Sequence, residues 1–251
     1  MAMSKYLSIK TLNVNGLNTL IKRHRIVEWI RKQDPHICCL QGTHLRTKDL
    51  QRLKVKGWKQ IFQANGQRKK SQSSNTHIRQ NRFQKKAIKR DPEGHFKILK
   101  GRIHQEDINI VNIYAPNIGA PKYIKKILED FKKDIDSKTI IVGDIITPLS
   151  KMDRASKQNI NKDIVSLNNT LEKMDLTDIY RAFHPKEAKY TLFLNADGTF
   201  SKIDHMRGCK NSFNRFKKIE IISSIFSDHK GLKLETNQRK KTQTLKIMET
   251  E

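Results

Sequence analysis

Short apolar runs alternate with amphipathic segments along this chain, and the alternation predicts an α/β fold. Apolar or β-branched runs of strand length occur at residues 6–14, 37–40, 58–64, 108–114, 139–142, 219–225 and 231–234. Apolar residues three and four positions apart predict helices at residues 25–31, 121–135 and 164–174. The short, wholly apolar runs are typical of strands that are buried on both faces.

Two segments of the chain depart from this simple alternation. Residues 190–200 predict a β-hairpin whose turn is Asp197-Gly198, a strong two-residue turn signal. Residues 67–102 carry twelve Lys or Arg and two acids, and within them residues 71–84 show neither helical nor strand periodicity. We predict that residues 71–84 are an irregular, exposed replacement of a strand. The alternative is an ordinary long basic surface loop.

The length of 251 residues allows one large domain with a full core. We predict that this domain spans residues 5–235 and that residues 236–251 form a basic, polar, disordered tail. No apolar run approaches the roughly 20 residues of a membrane span, so we expect no membrane insertion. The adjacent Cys38 and Cys39 are interpreted as buried free thiols, which favours a reducing compartment, the nucleus or cytoplasm.

The charge of the chain indicates its partner. Fifty-one Lys and Arg against twenty-five Asp and Glu give a net charge of +26 and a pI of about 10.1. An excess of this size favours polyanions, and nucleic acid is the default partner. An anionic membrane surface is the alternative, but no basic amphipathic helix is obvious.

Four polar motifs follow predicted strands: Asn13-Val14-Asn15-Gly16, Gln41-Gly42-Thr43-His44, Gly143-Asp144 and Ser227-Asp228-His229. Hydrolysis of a phosphodiester needs a metal ion, a base that orients water and donors for the developing charge. Carboxylates, a His–Asp pair and neutral donors suit these tasks. The candidates are Asp144, Asp204, Asp228, His229, Tyr114, Asn13 and Arg154.

Each of these signals is weak when it is taken alone. A Gly-Asp pair after a strand is more often a turn, and Tyr114 alone would be a core tyrosine. His44 and His205 fit surface or groove histidines better than ligands. The order in which the motifs occur together is what indicates a metal-dependent phosphodiesterase.

The chain resembles the endonuclease domain of mammalian LINE retrotransposons (long interspersed elements). The matching segments are TLNVNGLN at 11–18, IKRHRIVEWI at 21–30, IYAPN at 113–117, SKIDH at 201–205 and SDH at 227–229. That domain belongs to the exonuclease III / apurinic endonuclease superfamily, within the endonuclease–exonuclease–phosphatase fold. The resemblance implies a four-layered α/β sandwich, a monomer, Mg²⁺, and hydrolytic nicking of AT-rich duplex DNA that primes reverse transcription, with RNA as a second possible partner.

The resemblance also implies roles for individual residues. It places Asn13 and Asp228 on the metal and phosphate side, makes Tyr114 a phosphate contact, and has Asp144 orient the attacking water while Asp204 pairs with His229. The DNA-facing residues that it implies are Arg154, Asn117, His44 and the hairpin from Thr191 to Ser201. Such a hairpin would read groove shape more than base edges.

Three departures from the family pattern indicate that catalysis is crippled. Gly42 stands where the family has its metal-binding glutamate, and Ile146 where it has a phosphate-donating asparagine. The text of residues 71–84 resembles the family's coding sequence read one frame off. Losing one such donor costs roughly 10²–10³ in rate, and losing a metal ligand should cost at least as much.

Three functions remain open at this point. The first is a working Mg²⁺-dependent nickase that tolerates Gly42. The second is a catalytically dead nucleic-acid-binding protein, a pseudoenzyme. The third is a decayed reading frame whose product folds poorly. We expect a LINE-derived, endonuclease-like protein that keeps its affinity for nucleic acid.

Overall fold

The computed structural model describes residues 6–45, 53, 60–65, 73–78, 83–103, 105–155, 160–194 and 199–237. The strands, in chain order, are β1 (Tyr6–Asn13), β2 (Ile37–Gln41), β3 (Gln60–Asn65), β4 (Ser73–Ile78), β5 (Gln84–Arg90), β6 (Phe96–Ile103), β7 (Glu106–Tyr114), β8 (Thr139–Asp144), β9 (Leu176–Asp178), β10 (Leu192–Leu194), β11 (Thr199–Ser201), β12 (Asp204–Cys209), β13 (Phe216–Ile222) and β14 (Gly231–Asn237). The α-helices are α1 (Leu20–Gln33), α2 (Ala120–Asp130), α3 (Lys162–Lys173) and α4 (Ile179–Phe183).

Two six-stranded sheets pack face to face. The first has the order β13-β14-β1-β2-β4-β3 and the second β5-β6-β7-β8-β12-β9. One apolar cluster lies between the sheets, a second packs α1 onto the first sheet, and a third packs α2 and α3 onto the second sheet. These four layers confirm the predicted α/β sandwich.

Local sequence signals explain where α1 begins and ends. The Thr19 hydroxyl caps the first turn by accepting the Lys22 N–H at 3.3 Å, and Asp34 ends the helix with a left-handed φ of 43°. Ile26 and Ile30 then lie one turn apart on the buried face, against the first sheet. Helix α1 therefore fixes the loop that follows β1, at the edge where the polar motifs collect.

Residues 71–84 contain a regular interior strand, so the prediction of an irregular, exposed segment was wrong. Strand β4 pairs antiparallel with β2 on one side and β3 on the other. Thr76 and Ile78 are buried at alternate positions, and the Thr76 hydroxyl accepts a hydrogen bond from Asn112 Nδ2 at 3.3 Å. Backbone pairing on both sides plus two inward side chains is enough to place a polar strand. This regular strand removes the structural argument that residues 71–84 come from a shifted reading frame. Residues 71, 72 and 79–82 lie outside the described residues.

The remaining predicted elements are confirmed within a few residues. Strands β10 and β11 pair antiparallel as the hairpin prediction requires, although its Asp197-Gly198 turn lies outside the described residues. Strand β14 runs to Asn237, so it includes the first residues of the predicted tail, and residues 238–251 lie outside the description. Cys38 and Cys39 are buried free thiols, as predicted. No helix in the described part of the chain has both the length and the apolar character to cross a membrane.

Candidate active site

The ends of four strands bring the predicted catalytic side chains together. Asn13 ends β1, Tyr114 ends β7 and Asp144 ends β8, while Asp204 begins β12. Pairing aligns Asp144 with Tyr114 on one side and with Asp204 on the other. His229 enters from the loop before β14, and all five residues are buried. The convergence that the strand ends predicted is thus observed.

A continuous polar network links these side chains. Asn13 Nδ2 donates to Asp144 Oδ2 at 2.7 Å, and His229 Nδ1 lies 2.9 Å from Asp204 Oδ2. The other ring nitrogen of His229, Nε2, lies 3.9 Å from Asp144 Oδ2. The imidazole therefore stands between two buried carboxylates, with Asp204 fixing its orientation.

Burial and the neighbouring charges shift the pKa values of the groups in this network. Burial alone would lower the pKa of His229, but the charge and hydrogen bond of Asp204, together with Asp144, raise it to about 9. Burial and the charge of Asp204 raise the pKa of Asp144 to about 7, against the pull of His229 and Asn13. Burial raises the pKa of Tyr114 to about 12. Near neutral pH the site thus holds an imidazolium, a neutral phenol and a carboxyl that can accept a proton.

The Asn13 amide occupies the space next to Gly42. The backbone of Gly42 has a left-handed φ of 61°, and a Cβ at this position would overlap Asn13 Oδ1. That oxygen accepts the N–H of Asn15 at 2.9 Å, which holds the amide in place. The position where the family resemblance implies a metal-binding carboxylate therefore has an amide against it.

Ile146 has a backbone conformation that suits a different residue. Its φ of 54° is left-handed, a genuine outlier for a β-branched side chain and a conformation that asparagine tolerates much better. Its N–H donates to Asp144 Oδ1 at 2.8 Å, so the turn itself helps to hold Asp144. The loop keeps the shape that asparagine would favour.

We expect Ile146→Asn not to lower the free energy of unfolding. Relief of backbone strain, roughly 1 kcal/mol or more, should offset the packing lost by this partly buried side chain. Ile145→Asn is the matched control, because Ile145 is buried and should lose about 2 kcal/mol or more on gaining an amide there. Urea unfolding of both variants checks the difference, and equal losses would contradict the strain argument.

The spacing of three side chains could hold a metal ion. Asp144, Asp204 and His229 place one ligand atom each within 4.8 Å of one another. Both oxygens of Asp144 already accept hydrogen bonds, and Asp204 Oδ2 is bonded to His229. Of the four carboxylate oxygens of Asp144 and Asp204, only Asp204 Oδ1 has no hydrogen-bond partner among the described residues. Mg²⁺ prefers near-octahedral ligation by oxygen atoms. Two carboxylates and one imidazole nitrogen do not complete that ligation by themselves.

The remaining predicted metal residue, Asp228, is exposed, next to the buried His229. Asn15 Nδ2 lies 3.3 Å from both of its carboxylate oxygens. Ser227 tightens the same loop, because its hydroxyl donates to the Asn13 carbonyl at 2.7 Å and accepts the His229 N–H at 3.1 Å. Asn15 and Ser227 were not predicted as site residues, although both lie inside motifs that the sequence had singled out.

One predicted DNA-facing side chain has a different place. Thr191 is fully buried, and its hydroxyl accepts the N–H groups of Ile203 and Asp204, each at 3.2 Å. It therefore positions Asp204 and is not available to contact DNA. His205, interpreted as a surface or groove histidine, is also fully buried, with Nδ1 2.8 Å from Asp178.

The other predicted DNA-facing residues are not fully buried. Arg154 and Ser201 form an isolated antiparallel bridge beside the β10–β11 hairpin. Asn117 is exposed in the loop that follows β7. His44 is half-buried, with its ring 6.4 Å from that of Tyr114. Asn117 is thus exposed, whereas the other three side chains are partly buried.

Two solved structures share the fold of this chain. An AP endonuclease from Archaeoglobus fulgidus matches with a TM-score of 0.72 and 18% identity, covering 91% of this chain and 98% of its own. An AP endonuclease from Leishmania major matches with a TM-score of 0.76 and 15% identity, covering 94% and 89%. At these identities the likeness shows the architecture alone.

Sequence comparison identifies relatives more directly. An uncharacterized 149 kDa protein of transposon TX1 from Xenopus laevis is 25% identical over 235 residues. The match covers 91% of this chain but spans only 18% of that relative's length. The model of the Endonuclease/Exonuclease/phosphatase family matches residues 11–145, more than half of the sequence, including the ends of β1, β7 and β8. This chain belongs to the Endonuclease/Exonuclease/phosphatase family.

Proposed function

We propose that this protein is a retrotransposon-type, endonuclease-like protein that binds nucleic acid and whose metal-dependent nicking is crippled. The observation that carries the proposal is the Asn13 amide packed against Gly42. A family hydrolase needs a cation that screens the phosphate, and this corner of the cleft offers an amide and a glycine. The transposon relative and the family membership support the ancestry.

The catalytic side chains that remain can still do part of the chemistry. Asp204 orients His229, whose protonated ring can donate to a phosphate oxygen. Asp144 can accept a proton from water, and Tyr114 can donate as a neutral phenol. Mg²⁺, when it is bound in an intact family site, would neutralise the phosphate charge. Without a carboxylate at residue 42, the buried network lacks the ligand that would hold this cation.

Affinity for nucleic acid does not depend on that ligand. The net charge of +26 favours any polyanion, and the cleft rim adds local cations. Lys22 Nζ reaches the Asn15 carbonyl at 2.7 Å, and Lys230 Nζ lies 4.5 Å from the Phe193 ring. Together with Arg154, these groups could follow a DNA backbone across the cleft. AT-rich duplex DNA, a monomeric state and a nuclear or cytoplasmic location belong to the same proposal.

We expect this protein to bind duplex DNA with an affinity that falls about a thousandfold between 50 and 200 mM salt, because bound cations release counterions. Fluorescence anisotropy with a labelled duplex measures this slope. Arg154→Gln should reduce the slope by about one, whereas Lys126→Gln, on the outer face of α2, should change it less. Affinity that does not vary with salt would contradict the electrostatic basis.

Two other functions are less well supported. A working Mg²⁺-dependent nickase would need a cation ligand that replaces the missing carboxylate, and Asp144 and Asp204 have only one oxygen without a partner among the described residues. A decayed product that folds poorly would be inconsistent with β4, which pairs on both sides within a six-stranded sheet. A cooperative unfolding transition in urea would exclude the decayed product.

A further inference from the structure

A cavity of about 340 Å³ lies at the β9 edge of the second sheet, between α3, α4 and β12. None of the catalytic residues described above lines it. Its charged lining side chains are Arg207, Arg181, Lys210, Asp178 and Glu172. The uncharged lining residues are both apolar and polar: Leu171, Leu176, Ala182, Asn168 and Thr177. The cavity is therefore a separate pocket with an excess of cations.

Arg207 is a buried cation that no carboxylate in the described part of the chain contacts directly. Its side chain is only 8% exposed, Nη1 donates to the Leu176 carbonyl at 3.3 Å, and Nε has no partner in the described part of the chain. Within the same residues, no carboxylate lies within ion-pair distance of its guanidinium. Asp178 and Asp153 stabilise its charge only from a longer distance, and a buried charge that no counterion contacts is costly. A pocket bordered by such a group favours an anion.

The acidic neighbour of Arg207 is already neutralised. Asp178 faces Arg207 across the β9–β12 pairing, but its Oδ2 is 2.7 Å from Lys202 Nζ and 2.8 Å from His205 Nδ1. Lys202 is fully buried, so this ion pair is not exposed to competing solvent. The Asp178 carboxylate therefore bonds Lys202 and His205 directly and acts on Arg207 only through its charge, which leaves the guanidinium without a contacting anion.

Two more cations frame the pocket. Arg181 is held rigidly, with Nη2 2.8 Å from Asp153 Oδ1 and Nη1 2.7 Å from the Glu187 carbonyl. Lys210 is half-exposed, and its Nζ lies 4.0 Å from Asp175, at the limit of an ion pair. Lys210 can thus turn toward a bound anion at the pocket mouth, where Glu172 and Asp175 are the opposing charges.

We propose that this pocket binds a phosphoryl group, with Arg207 as its buried anchor and Lys210 as its mobile second cation. The planar guanidinium and the flexible ammonium both suit phosphate oxygens. The same chemistry could come from free inorganic phosphate or from the terminal phosphate of a nucleic acid. The site stands independently of the nuclease cleft.

This site is tested by titrating the whole protein with inorganic phosphate. Binding is measured by calorimetry and by the shift in melting temperature. Arg207→Gln should weaken binding about tenfold or more, and Lys210→Gln less. Ala182→Glu adds a carboxylate at an exposed lining position and should also weaken binding without touching the core. Arg25→Gln, an exposed arginine on α1, removes the same charge elsewhere and should leave binding unchanged.

Oligonucleotides with a 5′-phosphate or a 5′-hydroxyl then separate the two sources. A preference for the phosphorylated end that Arg207→Gln abolishes assigns the terminal phosphate, and phosphate binding without such a preference assigns the free ion. No phosphate binding by the unmodified protein would overturn the proposal. So would equal weakening by Arg25→Gln and Arg207→Gln, since that result would show binding by overall charge. If Arg207→Gln does not fold, the effect of Ala182→Glu on phosphate binding tests the proposal instead.

Discussion

Plasmid nicking in Mg²⁺ should stay at background for the unmodified protein and rise roughly a hundredfold or more in the double variant Gly42→Glu, Ile146→Asn. The glutamate supplies the missing anion and the asparagine supplies the missing donor. The nicking rate is measured on a gel from the amount of supercoiled plasmid that is converted to the relaxed form over time. The matched control is Gly42→Gln, Ile146→Asn, which has the same shape at residue 42 without the charge and should stay near background.

The double variant requires a local rearrangement around residue 42. A side chain at residue 42 displaces the Asn13 amide, which must give up its contact with the Asn15 N–H or with Asp144. The left-handed φ of residue 42 adds about 1–2 kcal/mol of strain. We therefore expect recovered nicking together with a lower melting temperature. Robust nicking by the unmodified protein that Asp144→Ala abolishes would show that Gly42 is not limiting, and a folded but inactive double variant would place the defect elsewhere.

Strand ends were predictable from sequence because apolar runs and the polar motifs after them are both local signals. The run 139–142 predicted β8, and Asp144 is the last residue of that strand. Polar strands were not predictable in this way. Strand β6 carries Lys97 and Lys100 among its apolar residues, and β4 reads Ser-Ser-Asn-Thr-His-Ile. Their partners in the sheet, rather than their own composition, place them.

The pairing of His229 with Asp204 was predicted through the family resemblance, and it is observed at 2.9 Å. The close approach of Asn13 to Gly42 could not be predicted, because it depends on the rotamer of one side chain and the φ of another residue. The same holds for Thr191, which a hairpin motif places near DNA but whose hydroxyl turns inward to Asp204. Sequence motifs identify the residues of a site more readily than they identify the direction of each side chain.

His229→Ala should lower the free energy of unfolding at pH 7 by about 3–5 kcal/mol, because it leaves two buried carboxylates without their cation. Asp144 and Asp204 are both almost fully buried. Asp228→Ala is the matched control: it alters the neighbouring residue, which is exposed, and should change stability by about 0.5 kcal/mol or less. Guanidinium unfolding of each variant measures the difference.

The cost of His229→Ala should also depend on pH in one direction. The pKa of His229 rises from 6.5 in the unfolded chain to about 9 in the fold, so its charge stabilises the native state fully below about pH 6.5. That stabilisation, roughly 3 kcal/mol, is lost as the pH rises through 9. The difference between unmodified protein and variant should therefore shrink from pH 7 to pH 10, while the difference for Asp228→Ala stays small. A cost that is the same at both pH values would mean that His229 stabilises the fold by filling space and not by its charge.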